Sequence, residues 1–499
     1  MDNSPGLSDR LVILTAMGKN NQQRRAAKRR ARAATVAASG RVGGRADEAT
    51  SRDQFTASSA SPEPIDQRQE IAQLLATGAN CAFGEGANEV ALDEIVQSLV
   101  VLQTTAAPSL PATMGTDAVY HLLGHLWENG WQPMDLAHIV RRHQGARGAA
   151  LVTAAIDGQA ARDRHFDRGP QEWIDQLGSL GIPAAQHEHT SEWLLAAWQF
   201  AQGISPWDGW RDILRLLGQF QILHRLSPLG PPPSQWDQVR KAAAGRPPRT
   251  ATAPSAGQQS PSSGHDPKML SRIRALLSKA EATTFDEEAQ AYTAKAQDLM
   301  TRYAIDEALL EEAGGHGDVN ARRIHIDNPY AQAKVQLLST VGSINRVRVV
   351  WDDEHGMATV VGMAVDLELV DMLFTSLLVQ ATHALTEAGN TRITQGGYQS
   401  GRLNRSPSFR RAFLLSYAIR IGERLAEAGQ RAADESTSSH GAELVPVLAR
   451  RAEEVDHRFE KMFPNTREIR AKRVDARGWH AGRTAADRAT FAAGQVETA

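Results

Sequence analysis

The chain has 499 residues, 41% of them hydrophobic and 6% aromatic, and a formal net charge of −2. That length exceeds one ordinary core and predicts two or three domains. A single cysteine, Cys81, excludes an internal disulfide framework and any cysteine-rich zinc site, and fits a reducing, cytoplasmic setting.

The near-neutral total hides a basic arm. From Arg10 to Arg45 there are ten Lys or Arg and no Asp or Glu, with Arg24, Arg25, Lys28, Arg29, Arg30 and Arg32 packed closest together. Residues 1–40 form this arm, Ala-rich enough to be partly helical. Its apolar run Leu11–Met17 is too short to cross a membrane. The run also precedes the positive charge, the reverse of a secretory signal. With no other long apolar stretch, the expectation is a soluble cytoplasmic protein with no membrane partner. Residues 41–64 turn to Gly, Ser, Thr, Asp and Pro and read as a flexible linker.

Residues 65–239 read as an all-helical domain. Ile71, Leu74 and Leu75, then Leu92, Ile95, Val96 and Leu99, follow the spacing of buried helix faces. Further helices are predicted at Val119–Trp127, Met134–His143, Ala149–Ala161, Gln171–Leu177, Ser191–Ala201 and Trp207–Leu226. Eight of the ten tryptophans lie here, and such rings bury enough area to mark a packed core. Residues 240–266 are rich in Pro, Gly, Ser and Gln, a composition that cannot offset the cost of ordering. As a coil of about 26 residues this linker spans roughly 30 Å.

A helical hairpin is predicted over 267–312. Thr284 and Glu287 have capping-box spacing, and Asp286, Glu287 and Glu288 suit the positive end of a helix dipole. Leu276, Leu277 and Ala280 face Ala289, Ala296 and Leu299. Residues 313–499 read as a small α+β domain. A strand at ARRIHID is followed by a helix from Tyr330 to Gly342. Strands NRVRVVW and MATVVGM come next, and then a helix from Val365 to Ala388. A polar Gly-rich loop precedes helices at Phe409–Arg431, Leu444–Phe463 and Ala476–Ala493. The fold class is mainly α: a helical N-terminal domain, a helical hairpin and a short antiparallel sheet packed with long helices.

The hairpin resembles the domain of unknown function 2786 family, on Ile273, Arg274, Leu276, Leu277, Ala280 and Glu281 of its first helix. The second helix adds Glu288, Ala289, Ala294, Ala296, Gln297, Leu299, Met300 and Ile305. Later motifs extend the likeness from about Lys268 to the C-terminus: NRVRVVW, VVGM, SFRRAFLLSYAIRIGERL, LVP and GWHAGRTAADRA. The resemblance implies a fold, and it brings no catalytic residue and no cofactor.

The leading functional expectation is electrostatic. Phosphate contacts dominate non-specific nucleic-acid affinity and need only dense positive charge. The arm cluster qualifies, and so do Arg272 and Arg274 on the hairpin. Arg410 and Arg411 belong to a run with Arg402, Arg405, Arg420 and Arg424 that only Glu423 accompanies. Arg470, Lys472 and Arg473 belong to a run with Arg467, Arg477, Arg483 and Arg488 that outnumbers Glu468, Asp475 and Asp487. If these clusters share a face they make a basic groove for DNA or RNA, while the helical domain takes a protein partner. The alternatives are an enzyme, such as a hydrolase with a site between the sheet and the Arg-rich helices, and an interaction scaffold.

Other motifs have plainer readings. The segment HLLGHLWENGWQPMDLAHIVRRHQ has helix-turn-helix form, but its second helix offers Gln132, Met134 and Asp135 where base contacts belong, so a core helical pair is favoured. His121, His125 and Glu128 share one helix face without the HExxH pattern, and His187 with His189 sits in a loop. Asp352, Asp353, Glu354 and His355 read as a solvated hairpin tip. The small residues Gly478, Ala481, Gly482, Ala485 and Ala486 predict close helix packing over an exposed phosphate cradle.

Overall fold

A computed structural model describes residues 13–16, 67–84, 87–105, 109–184, 194–244, 267–283, 286–314, 318–390, 392–395, 398–403, 406–440, 444–469 and 475–488. The chain divides into two compact units, one of Gly18–Arg249 and one that joins Met1–Met17 to Thr250–Ala499. The second unit is therefore built from both ends of the sequence. The described residues are mainly helical, and no helix among them is long and apolar enough to cross a membrane.

The helical unit comprises α1 (Gln67–Ala82), α2 (Glu89–Thr105), α3 (Ser109–Glu128), α4 (Pro133–Arg162), α5 (His165–Arg168), α6 (Gln171–Ser179), α7 (Leu194–Gln202), α8 (Pro206–Ile222) and α9 (Trp236–Ala244). Its centre is α8, which starts at a serine cap and a first-turn proline. It buries Trp210, Ile213, Leu214, Leu216, Leu217 and Phe220 against α1, α2 and α3. A Cβ at Gly218 would overlap the Ala79 carbonyl, so only glycine permits this approach of α8 to α1. Gly145, at φ 73, breaks α4 into the two helices that the periodicity predicts.

The C-terminal unit comprises the hairpin α10 (Pro267–Ala282) and α11 (Asp286–Gly314), then β2 (Val319–His325), α12 (Ala331–Ile344), β3 (Arg348–Asp352), β4 (Met357–Met363) and α13 (Ala364–Asn390). A two-stranded ribbon follows, β5 (Arg392–Gln395) and β6 (Tyr398–Leu403), and then α14 (Pro407–His440), α15 (Leu444–Met462), β7 (Thr466–Ile469) and α16 (Ala476–Arg488). Strands β2, β4 and β3 make the expected antiparallel sheet, with Arg322 opposite Val360 and Val349 opposite Val360 on the other side.

The sheet extends further than periodicity predicts. Strand β1 (Ile13–Ala16), inside the region read as a partly helical arm, lies parallel to β3 with Leu14 opposite Val350. β7 closes the far edge, antiparallel to β1. The alternation of β3 divides two cores. Val349 and Trp351 join the main core, whereas Val350 meets Val361 and Phe459 of α15 on the opposite face.

The hairpin is a structural centre of this unit. Leu270, Ile273 and Leu277 of α10 and Ala296, Leu299, Met300 and Tyr303 of α11 are buried in the main core. Gln297, one of the residues that carry the family resemblance, is fully buried and donates to Asn345 Oδ1 at 3.1 Å, tying α11 to the end of α12. The capping-box pair Thr284 and Glu287 lies outside the residues whose side chains are described.

Candidate nucleic-acid interface

Helices α14 and α16 run side by side in the same direction. Gly478 sits against Phe409 and Ala412, Gly482 against Phe413 and Ser416, and Ala486 beside Arg424. A Cβ at Gly478 or Gly482 would overlap the carbonyl of Phe409 or Phe413. The small-residue stripe is thus a packing surface and exposes no backbone cradle there. Parallel packing brings the two first turns together. Ser406 Oγ accepts from Phe409 N at 3.2 Å, and Asp475 Oδ1 accepts from Arg477 N at 3.0 Å and Gly478 N at 3.1 Å. Ser408 Oγ donates across to Asp475 Oδ2 at 3.4 Å, linking the two starts.

The arginines of this pair have two fates. Toward the C-terminal end, Arg420 pairs with Glu423 at 2.5 Å and also with Asp487, while Arg483 reaches the same Glu423 oxygen at 3.3 Å. Arg424 is buried and donates to the carbonyls of Ala486 and Asp487, where it satisfies otherwise free acceptors at the end of α16. Burial, aided by the neighbouring Arg420 charge, lowers its pKa to about 10, which leaves it charged at neutral pH. At the N-terminal end Arg410 is half-buried and Arg411 and Arg477 are exposed. Among the described residues none of these three makes an ion pair.

The remaining predicted residues fall differently. Arg272 and Arg274 are exposed on α10, which packs on α11 and α13, and Arg274 is taken up by Glu368 at 2.5 Å. Arg24, Arg25, Lys28, Arg29, Arg30, Arg32, Arg470, Lys472 and Arg473 lie outside the described residues. The sequence reading missed the ribbon β5–β6, which lies where a loop was expected. Arg392 and Arg402 stand on its strands, and its only early signal was the Gly396–Gly397 pair between polar runs.

Several other candidates make contacts within the chain. Trp131 Nε1 donates to His224 O at 2.8 Å, and Gln132 accepts from Gln176 Nε2 at 2.9 Å while Asp135 is buried, so the start of α4 faces its own unit. His121 and His125 stack edge to face with ring centroids 4.6 Å apart, and Glu128 is taken up by Ser234 N and Oγ at 3.0 and 2.8 Å. His187 and His189 lie outside the described residues. In the β3–β4 turn Asp353 and Glu354 are exposed as expected, but His355 is buried, its Nδ1 2.6 Å from Asp352 Oδ2. Asp352 also accepts the backbone N–H groups of Glu354 and His355, and this fixes the turn.

The tryptophan cluster is also a core. Trp173 meets Trp127, Trp236 and His165 edge to face at 5.1, 5.2 and 5.7 Å between centroids. His165 is 3% exposed, and its burial lowers the pKa to about 4, keeping the ring neutral.

Residues 268–307 match the model of a family described as protein of unknown function (DUF2786). The match covers the hairpin, and the later motifs lie beyond it. No curated protein and no solved structure matches the chain significantly.

Proposed function

We propose that this is a non-enzymatic protein that associates with nucleic acid through phosphate contacts. The observation that carries the reading is the segregation of arginines along the α14–α16 pair. Charge at one end is consumed by Glu423, Asp487 and helix carbonyls, and at the other end Arg410, Arg411 and Arg477 make no ion pair among the described residues. The first turns of α14 and α16, far apart in sequence, adjoin at that end, and in the sequence Arg405 precedes the one while Arg470, Lys472 and Arg473 precede the other. Convergent, unneutralised charge is what a polyanion recognises. The basic arm adds Arg24, Arg25, Lys28, Arg29, Arg30 and Arg32 as a second contact.

The test is a salt series with the full chain on a short duplex. Replacing Arg410, Arg411 and Arg477 together by Gln lowers the slope of log affinity against log salt by about 3, at roughly 0.9 per phosphate contact. Among the described residues none of the three makes an ion pair, so stability stays within about 0.5 kcal/mol. Absence of any salt-dependent binding by the intact protein overturns the proposal.

A further inference from the structure

Only two of the chain's tryptophans belong to the C-terminal unit, Trp351 and Trp479. Trp351 is 3% exposed within the main core. Trp479 is half-buried on α16 and belongs to neither of the two clusters on the sheet faces. Among the described residues its indole makes no hydrogen bond and no ring contact. A ring of that size left partly in water gains by covering its face with a partner. The parallel seam fixes where it stands. Trp479 N donates to Asp475 O at 2.9 Å, one turn back along α16, and Asp475 meets Ser408 across the seam at 3.4 Å. One turn on from Ser408 is Arg411, which is exposed, so Arg411 and Trp479 stand level on the same flank of the helix pair. Arg477 and His480 are exposed on the same turn of α16. The acid of this turn, Asp475, already accepts from Arg477 N, Gly478 N and Ser408 Oγ. Glu423 and Asp487 lie further along the helices, engaged with Arg420 and Arg483.

We infer that Trp479 is a stacking platform for an unpaired base, and that the partner of this surface is single-stranded nucleic acid. The charge of Arg411 and Arg477 suits a phosphate backbone, and the indole beside them suits what a backbone carries. Every base has a π-face that can stack on an aromatic side chain, so such a platform works without reading sequence. In a duplex both faces of a base are covered by its neighbours, and a single ring on a helix flank has nothing to stack on. An acidic peptide would satisfy the arginines and leave the indole uncovered. The inference rests on the nucleic-acid reading above and narrows it to a single strand, DNA or RNA, since stacking does not distinguish the two sugars.

The experiment compares the full chain with Trp479→Ala, Trp479→Leu and Trp479→Phe. Anisotropy is read on single-stranded DNA, single-stranded RNA, an abasic single strand of the same length and a duplex. The intact protein binds the base-bearing strands more tightly than the abasic strand. Trp479→Ala and Trp479→Leu bind the base-bearing strands about tenfold more weakly, and their affinity for the abasic strand and the duplex is unchanged. Trp479→Phe keeps a ring and stays within about threefold of the intact protein. The salt slope is the same in all three variants, because no charge is lost, whereas Arg411→Gln lowers it by about 0.7 on a single strand. Thermal unfolding of Trp479→Leu close to that of the intact protein separates lost stacking from lost fold. An equal loss on the abasic and base-bearing strands makes Trp479 a structural residue and overturns the platform, as does no loss on any strand. In either case salt-dependent binding persists and the proposed function stands. If the intact protein binds none of the probes, both fall.

Discussion

The two units treat their most conspicuous residues in opposite ways. The helical unit withdraws the centre of its signal: Trp127, Trp173 and Trp236 with His165 close on one another edge to face and are buried. The C-terminal unit divides its signal. Arg420, Arg424 and Arg483 are locked into the α14–α16 contact, and Arg410, Arg411 and Arg477 are left over. Aromatic rings gain by meeting one another, so a cluster of them collapses to a core. Guanidinium groups repel, so each needs an acid or a carbonyl, and packing supplies these only at one end. Density of a residue type in sequence therefore marks a core in one unit and only half a surface in the other.

The strongest way to break this comparison is to separate α14 from α16. Gly482→Val places a side chain against the Phe413 carbonyl and Ser416 Oγ, where even one methyl group does not fit. Overpacking against backbone costs about 3 kcal/mol, read as a shift of the urea midpoint. The same variant loses salt-dependent nucleic-acid affinity, because the unpaired arginines no longer converge. A Gly482→Val protein of unchanged stability would show that the stripe is not the contact.

How much of this was legible follows from the range of the interactions. Periodicity found the buried faces of α1, α2, α10 and α11, because each is a local pattern several turns long. It also placed β2, β3 and β4 with the antiparallel pairing of the sheet. Strands β1 and β7 escaped, being four residues each and paired across almost the whole sequence, Ile13 with Ile469. The ribbon escaped because its polar strands lack the apolar alternation that marks a half-buried sheet. The small-residue stripe of α16 was readable as packing. Its partner was not, nor was the parallel direction that decides which arginines meet. That direction required Gly478 and Gly482 to be seen beside Phe409 and Phe413 in order.

In the helical unit the comparison sharpens through pH. His165 is held neutral by burial, with Asp163, Arg168 and Arg162 as the charges acting on it and the Trp173 and Trp236 rings packed against it. Its folded pKa of about 4 lies below the ordinary 6.5, so the unfolded chain binds the proton more readily between those values. The stability it permits is complete above about pH 6.5 and falls as pH drops toward 4, with about 2 kcal/mol lost by about pH 5. His165→Phe keeps an aromatic ring in the box and flattens this part of the profile, measured by urea unfolding with tryptophan fluorescence. A profile equally steep in His165→Phe would assign the acid sensitivity to other groups.

The smallest effect tests the locked end directly. Glu423 serves both Arg420 and Arg483, and its replacement by Gln leaves Asp487 as the remaining acid on Arg420. All three side chains are partly exposed, so screening limits the loss to about 1 kcal/mol. The more informative readout is binding. Arg483, 44% exposed at its side chain, is released toward solvent, so affinity for a duplex rises, by up to about threefold at low salt, with a slightly steeper salt slope. A protein weakened in stability yet stronger on DNA would mark Glu423 as the residue that divides structural from available charge. If neither quantity moves, the ion pairs at this end are not what withholds its arginines, and burial alone must account for the contrast with Arg410, Arg411 and Arg477.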